Sequence, residues 1–467
     1  MDERGLEEAV RKMREAALSS AACASFERAW RQAASGQAGL MAEDSIDPAD
    51  GIPALADIKS ASPDPALLDR LCVIKLNGGL GTSMGLEKAK SLILVKDGLT
   101  FLDFIARQIL WLRADAGTKG PRFLLMDSFS TSADTLAHLS RYTELAPDGK
   151  LDFLQNKVPK LLAASLQPVQ WPQDPDLEWC PPGHGDLYPS LLGSGWLQRL
   201  ADEGVEYLFV SNSDNLGATV DTGLLAWFAQ SGLSFLMEVA ERTASDRKGG
   251  HLARRKSDGR LVLREVAQCP EADLTAFQDI GRHRYFNTNT LWLRVSDLLA
   301  ALEENGGALP LPLIKNTKTV DPRTPSSPQV LQLETAMGAA IECFANSGAV
   351  LVPRTRFAPV KTTSDLLALR SDAYRLTEDE RLELVPERNG VPPEVILEDR
   401  YYKTLTGLEA GFERRAPSLR HCSHFRVEGP WRFEDGVVCE GAVKFINHGH
   451  RPATVRAGSY SEVAAEI

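Results

Sequence analysis

The sequence predicts an α/β protein with a central, mostly parallel sheet, and three observations carry that expectation. Short apolar runs recur at residues 71–76, 123–126, 207–210, 235–239, 291–295 and 350–352. Helical patterns lie between many of them, at residues 101–114, 222–230 and 330–346. A glycine-rich turn follows the first run directly. Apolar strands alternating with helices imply a parallel sheet covered on both faces. Ligands in such sheets sit at the carboxyl ends of the strands, so motifs that directly follow apolar runs are the functional candidates.

Residues 4–34 are rich in Ala, Glu and Arg and place Leu6, Val10, Met13 and Ala17 on one helical face; Gly36 ends the pattern. Residues 41–69, rich in Asp, Pro, Ala and Ser, read as a linker or a strapping segment. The α/β texture begins at Leu71. A further boundary falls near residues 375–395. Beyond it, residues 425–447 read as short strands broken by Gly429, Gly436 and Gly441, with Val427, Phe433, Val438 and Val443 at five- or six-residue intervals. That spacing suits a small β-helix and an antiparallel meander equally.

The 467 residues exceed one ordinary domain and suggest two or three. An apolar fraction of 43% and a charged fraction of 25% suit a soluble globular protein. The net charge of −11 argues against non-specific binding to nucleic acid or to an anionic membrane. A nucleotide is a different case, because a few local lysines hold phosphates on an acidic protein. Lys75, Lys88, Lys90, Lys157, Lys160, Lys248 and Lys361 are the candidates. Seven scattered cysteines without CxxC spacing read as reduced thiols, not a disulfide framework. The N-terminus has no signal-peptide core and no apolar run is long enough to span a bilayer, so a cytoplasmic enzyme is expected.

The glycine-rich segment, residues 76–85, reads LNGGLGTSMG. Glycines let a backbone turn tightly and approach a ligand closely, and consecutive N–H groups then face a phosphate or flank a base. A dinucleotide fingerprint starting at Gly79 and Gly81 would need glycine where Met84 stands, and nothing fits a Walker A loop. Residues 81–85 do match G-x-S-x-G, the nucleophile elbow of hydrolases, with Ser83 as nucleophile. An elbow, however, calls for neither the extra Gly78–Gly79 pair nor the nearby Lys90.

The loop resembles the signature of eukaryotic-type UTP–glucose-1-phosphate uridylyltransferases (UDP-glucose pyrophosphorylases). Further family-like blocks follow in family order: LMDSFSTSADT at 125–135, PPGHGDLYPS at 181–190, VSNSDNLGATVD at 210–221, residues 237–250, FNTNTLW at 286–292, QLETAMG at 332–338 and PRTRFAPVKTTSD at 353–365. Together they cover residues 71–374. The resemblance implies a doubly wound α/β domain over residues 71–380. An N-terminal helical segment and linker over 1–70 would precede it, and a C-terminal left-handed β-helix domain over 381–467 would follow. It implies formation of UDP-glucose and pyrophosphate from UTP and glucose 1-phosphate, with Mg²⁺ as cofactor. Family members differ in oligomeric state, often through the C-terminal domain, so a homo-oligomer through it stays open.

The chemistry so implied joins two anions, which calls for positioned cations and donors rather than a nucleophilic side chain. By resemblance Lys90 lies beside the UTP phosphates, although here Lys88-Ala89 precede it in place of the family's Gly-Pro. Lys361 is the family's catalytic lysine on the same phosphates. Asp214 is the Mg²⁺ and phosphate ligand; read alone, Asn212-Ser213-Asp214 has a rival reading as an Asx turn capping the next helix. Leu76, Asn77, Gly78 and Gly79 form a backbone wall for the nucleotide, and Gly183 approaches it. Gln155 bonds the uracil edge, since an amide both donates and accepts. His184, Asn212, Ser213 and Asn289, with Gly78 and Gly79, face the sugar phosphate; Asn289 is favoured over Asn287, and Glu334 is a weaker candidate. His421, Cys422, His424, Cys439, His448 and His450 match no zinc pattern.

Overall fold

The computed structural model describes residues 3–36, 39–58, 63–243, 246–412 and 415–467, apart from the Ser83 side chain. The strand Leu71–Leu76, buried over Leu71–Lys75, lies inside a ten-stranded sheet. It runs parallel to Tyr207–Asn212 on one side and to Arg122–Asp127 on the other. Asp152–Leu154 adds a further parallel strand beyond Arg122–Asp127. On the opposite side the long strand Tyr285–Arg294 runs antiparallel, and Phe235–Glu241 pairs with it and with Ser347–Leu351. Reading directions through these pairings, only Tyr285–Arg294, Leu261–Arg264 and Ile46–Pro48 oppose the rest, so the sheet is mixed and mostly parallel.

Side-chain alternation sends Val73, Leu125 and Phe209 into one core and Cys72, Ile74 and Leu124 into another. Helices Phe101–Ala116, Thr222–Ser231 and Thr363–Arg370 cover the first face. Leu187–Gly193, Trp196–Asp202 and Val295–Glu304 cover the second. This is the doubly wound arrangement. Leu76 is level with both Asn212 and Met126, and Asp127 with Leu154. Four loops therefore leave the same carboxyl edge: those after Leu76, Asp127, Leu154 and Asn212.

The structure corrects two local expectations. The N-terminal pattern is two helices, Arg4–Glu15 and Ser20–Ala34, because Ala17 turns left-handed at φ 58°. Leu6, Val10 and Met13 are buried as expected, but Ala17 is the break rather than part of the face. Residues 330–346 are not a helix. Gln329–Thr335 is a strand paired antiparallel with Leu313–Thr319, followed by the 3-10 turn Met337–Glu342. Val330 and Leu333 are buried on opposite faces of this strand, in different cores, and their separation of three happens to match a helical spacing. The strapping reading of residues 41–69 holds in part, since Ile46–Pro48 is a strand on His251–Arg255.

The C-terminal strands stack in parallel, which excludes the meander: Glu394–Leu397 on Ser418–Glu428, then Val437–Ile446, then Gly458–Ser461 and Ala464–Glu466. Trp431–Phe433 stacks on Ala453–Val455. Residues 394–397 and 418–467 thus coil as a β-helix around Phe425, Phe433 and Phe445, whose rings are in mutual contact. Gly429 is required at its corner: a Cβ there would lie 1.9 Å from the Asn447 carbonyl oxygen.

Candidate active site

The glycine loop folds back onto the segment that follows it. Gly81 N–H donates to the Lys88 carbonyl at 3.2 Å and Lys90 N–H to the Gly79 carbonyl at 3.1 Å. Thr82–Met84 makes a 3-10 turn closed by Gly85 at φ 76°. A nucleophile elbow needs a strand running directly into the serine and a helix leaving it. Here the strand has ended at Leu76, so the G-x-S-x-G match has no elbow around it.

On one side of the loop, Lys90 donates from Nζ to Asp214 Oδ2 at 2.6 Å. The other carboxylate oxygen, Oδ1, is buried without a hydrogen-bond partner in the protein. Ser213 N–H donates to the Leu76 carbonyl at 3.1 Å, tying this turn to the start of the glycine loop. Val360 N–H donates to the Asp214 carbonyl at 3.1 Å, and Asn215 bridges Pro359. Lys361 follows at once, exposed, with its N–H on Asp365 in the capping region of Thr363–Arg370. Lys90 and Asp214 offset each other's charge. The Lys361 ammonium makes no ion pair among the described residues and leaves the local balance positive.

On the other side, Gln155 is nearly buried, donates from Nε2 to the Gly183 carbonyl at 3.1 Å, and presents Oε1 to Gly78. A Cβ on Gly78 would lie 2.7 Å from that oxygen. Gly183 sits at φ 80°, and a Cβ there would meet the Thr335 carbonyl oxygen at 2.5 Å. Both glycines are thus set by close approach. Asp186 holds the two loops together, accepting from Asn156 N–H at 2.6 Å, from Asn156 Nδ2 at 3.0 Å and from Ser190 Oγ at 2.6 Å. Burial raises its carboxyl to about 6.

His184 accepts the Met337 N–H on Nδ1 at 3.0 Å. An acceptor Nδ1 places the ring proton on Nε2. Burial pushes the imidazole down to about 4, so at neutral pH it is an uncharged Nε2–H donor. The adjoining Gly338 leaves room for Asn287, whose Nδ2 would be 2.9 Å from a Cβ there. Asn287 Nδ2 in turn donates to Asn289 Oδ1 at 2.9 Å, and Asn289 N–H returns to Asn287 Oδ1 at 2.9 Å. Asn289 stands at φ 56° beside a register shift against Glu238 and Val239. These two amides lie inside the strand Tyr285–Arg294, not after a turn.

Some candidates are used elsewhere. The Asn77 side chain is buried and donates to Asp127 Oδ1 at 2.7 Å and Thr135 Oγ1 at 3.0 Å, fixing the loop to the sheet. Burial raises Asp127 to about 7. Lys75 is buried on Ser211 Oγ and the Ala218 carbonyl, and Lys160 on the Val320 carbonyl. Lys157 lies over the Phe129 and Trp179 rings. Cys422 and Cys439 are inside the β-helix, with burial pushing their thiols up to about 11 and 12. No group of three metal-binding side chains occurs among the described residues. Sequence reasoning missed Asp127, Asp186 and Asn215 as organisers of the edge. All three lie in the family-like blocks, yet nothing in their type or spacing separates a loop organiser from a surface polar residue.

A glycine-rich loop flanked by a lysine–carboxylate pair, on the carboxyl edge of a doubly wound sheet, defines a nucleotide-handling α/β transferase. The profile described as UTP–glucose-1-phosphate uridylyltransferase matches residues 24–440. An enzyme of that name from Solanum tuberosum is 41% identical over 82% of this chain and 79% of its own length. Its counterpart from Saccharomyces cerevisiae is 40% identical over 84% and 80%. A variant UDP-glucose pyrophosphorylase from Leishmania major, solved with UDP-glucose, superposes with a TM-score of 0.94 at 45% identity over all of both chains. The chain belongs to the UTP–glucose-1-phosphate uridylyltransferase family.

Proposed function

We propose that this protein makes UDP-glucose and pyrophosphate from UTP and glucose 1-phosphate. Family membership supports the reaction. The observation that carries its placement is the Lys90–Asp214 pair with Lys361 beside it, opposite the Gly78–Gln155–Gly183 cluster. The uracil edge bonds Gln155 between Gly78 and Gly183, and the triphosphate runs across the glycine loop to Lys90 and Lys361. His184 donates Nε2–H to the sugar phosphate, and Asn212, Ser213 and Asn289 line the sugar.

A phosphate oxygen of glucose 1-phosphate attacks the α-phosphorus of UTP in line. The new P–O bond forms as the bond to the β-phosphate bridge breaks, and pyrophosphate leaves with that electron pair. The attacking oxygen is already ionised, so no general base is needed. Lys361 and Lys90 offset the charge that gathers on the transferred group. The buried, unpartnered Asp214 Oδ1 fits a cation that takes one carboxylate and completes its shell with phosphate oxygens and water, the habit of Mg²⁺. Bound there, Mg²⁺ would screen the phosphates from one another. The free cysteines and the absence of a membrane-crossing helix among the described residues support a cytoplasmic setting.

The test is pyrophosphate release from UTP. Release is expected only with both glucose 1-phosphate and Mg²⁺ present. Release without the sugar phosphate, or none from folded protein under any condition, overturns the proposal.

A further inference from the structure

The Lys361 ammonium has no partner among the described residues, yet its reach toward Asp214 must be fixed for it to act on a phosphorus within an ångström or so. Resting on the reading above, we propose that Asn215 is the positioning residue that sets Lys361, through a single amide clamped to the backbone leading to it.

Asn215 is 2% exposed and sits next to Asp214. Its Nδ2 donates to the Arg356 carbonyl at 3.1 Å. Its Oδ1 accepts from Ala358 N–H at 3.0 Å and from Gly217 N–H at 3.3 Å. Carbonyl on one side and N–H groups on the other fix the amide's orientation. With the Val360 N–H on the Asp214 carbonyl, residues 356–360 are stitched onto the turn that carries the carboxylate. The Asn215 amide donates with one atom and accepts with the other, so one side chain holds both Arg356 and Ala358.

The stitched segment is braced from behind. Arg356 donates from Nε and Nη2 to the two oxygens of buried Glu238 at 2.8 and 2.7 Å, and from Nη2 to the Thr219 carbonyl at 2.9 Å. Trp292 Nε1 donates to Glu238 Oε1 at 3.0 Å. Gly217 allows the close approach, since a Cβ there would lie 2.4 Å from the Thr355 carbonyl oxygen. None of these groups belongs to the proposed substrate contacts, so their effect runs through the Lys361 backbone.

A double-mutant cycle separates positioning from general damage. Asn215→Ala should lower kcat about 30-fold while leaving KM for UTP within about threefold, because the Gln155 side is untouched. Added to Lys361→Ala, it should slow the enzyme no further. Asn215→Asp keeps the acceptor toward Ala358 and Gly217 but sets a buried carboxylate oxygen against the Arg356 carbonyl, and should lower kcat at least as far as Asn215→Ala. It carries the cycle if the alanine variant does not fold. Normal kcat in Asn215→Ala beside a crippled Lys361→Ala overturns the proposal, as does a double mutant whose losses multiply. Undiminished activity in Lys361→Ala would instead overturn the underlying role of that lysine.

Discussion

Asp214 shows how one side chain divides its work. Oδ2 takes the Lys90 ammonium while Oδ1 stays buried and open. A buried acceptor without a partner costs roughly 1–3 kcal/mol, a cost explained if a cation completes it during turnover. His184 shows the same economy. Its Nδ1 is occupied by Met337 N–H, so Nε2–H is the only donor left. Because its folded-state value of about 4 lies below the usual 6.5, protonation favours the unfolded chain. Its contribution to stability is full above 6.5 and is lost as the pH falls from there toward about 4. Nitrogen-15 NMR of the imidazole should report one neutral Nε2–H tautomer from pH 8 to pH 5.5. A titration centred near 6.5, or the Nδ1–H tautomer, contradicts this geometry.

At the scale of the element, Gly78 and Gly183 do different jobs. At Gly78 an added methyl meets Gln155 Oε1, the tip of a side chain that can move aside. Gly78→Ala should raise KM for UTP about tenfold and leave thermal stability nearly unchanged. At Gly183 the methyl meets backbone at a left-handed φ of 80°, where nothing yields easily. Gly183→Ala should cost about 1–3 kcal/mol of stability and raise KM as well. Thermal melts and UTP saturation curves distinguish the two. Equal destabilisation at both positions would contradict the assignment.

How far the sequence disclosed these elements follows from their physics. Strands buried on both faces are near-continuous apolar runs, so Leu71–Leu76 and Tyr207–Asn212 were legible directly. Gln329–Thr335 reads as helical because Val330 and Leu333, which enter different cores from opposite faces of the strand, stand three apart as neighbours on a helix do. The N-terminal break was hidden because Ala17 carries no turn chemistry. The glycine loop and its lysines were legible as motifs. The clamp at Asn215 and the His184 tautomer were not, since each depends on a backbone group more than a hundred residues away.

Across the whole molecule, the C-terminal coil backs the segment that carries Lys361. Thr363 Oγ1 donates to the Tyr402 carbonyl at 2.6 Å, and Leu397 N–H donates to Ser364 Oγ at 3.2 Å, directly behind Lys361. A Cβ on Gly85, at the end of the glycine loop, would lie 3.1 Å from the Thr404 side chain. One hydrophobic core joins Val73 and Phe209 of the sheet to Phe425 and Phe445 of the coil. The glycine loop, the segment that carries Lys361 and the coil are therefore parts of one packed body. The central claim is that UTP spans that body from Gln155 to Asp214. It is tested most directly by an anomalous-difference map of crystals grown with UTP and Mn²⁺ in place of Mg²⁺. The expected result is a manganese peak at bonding distance from Asp214 Oδ1, the uracil edge on Gln155 and the phosphates beside Lys90 and Lys361. A metal bound away from Asp214, or a uracil that does not touch Gln155, would contradict it.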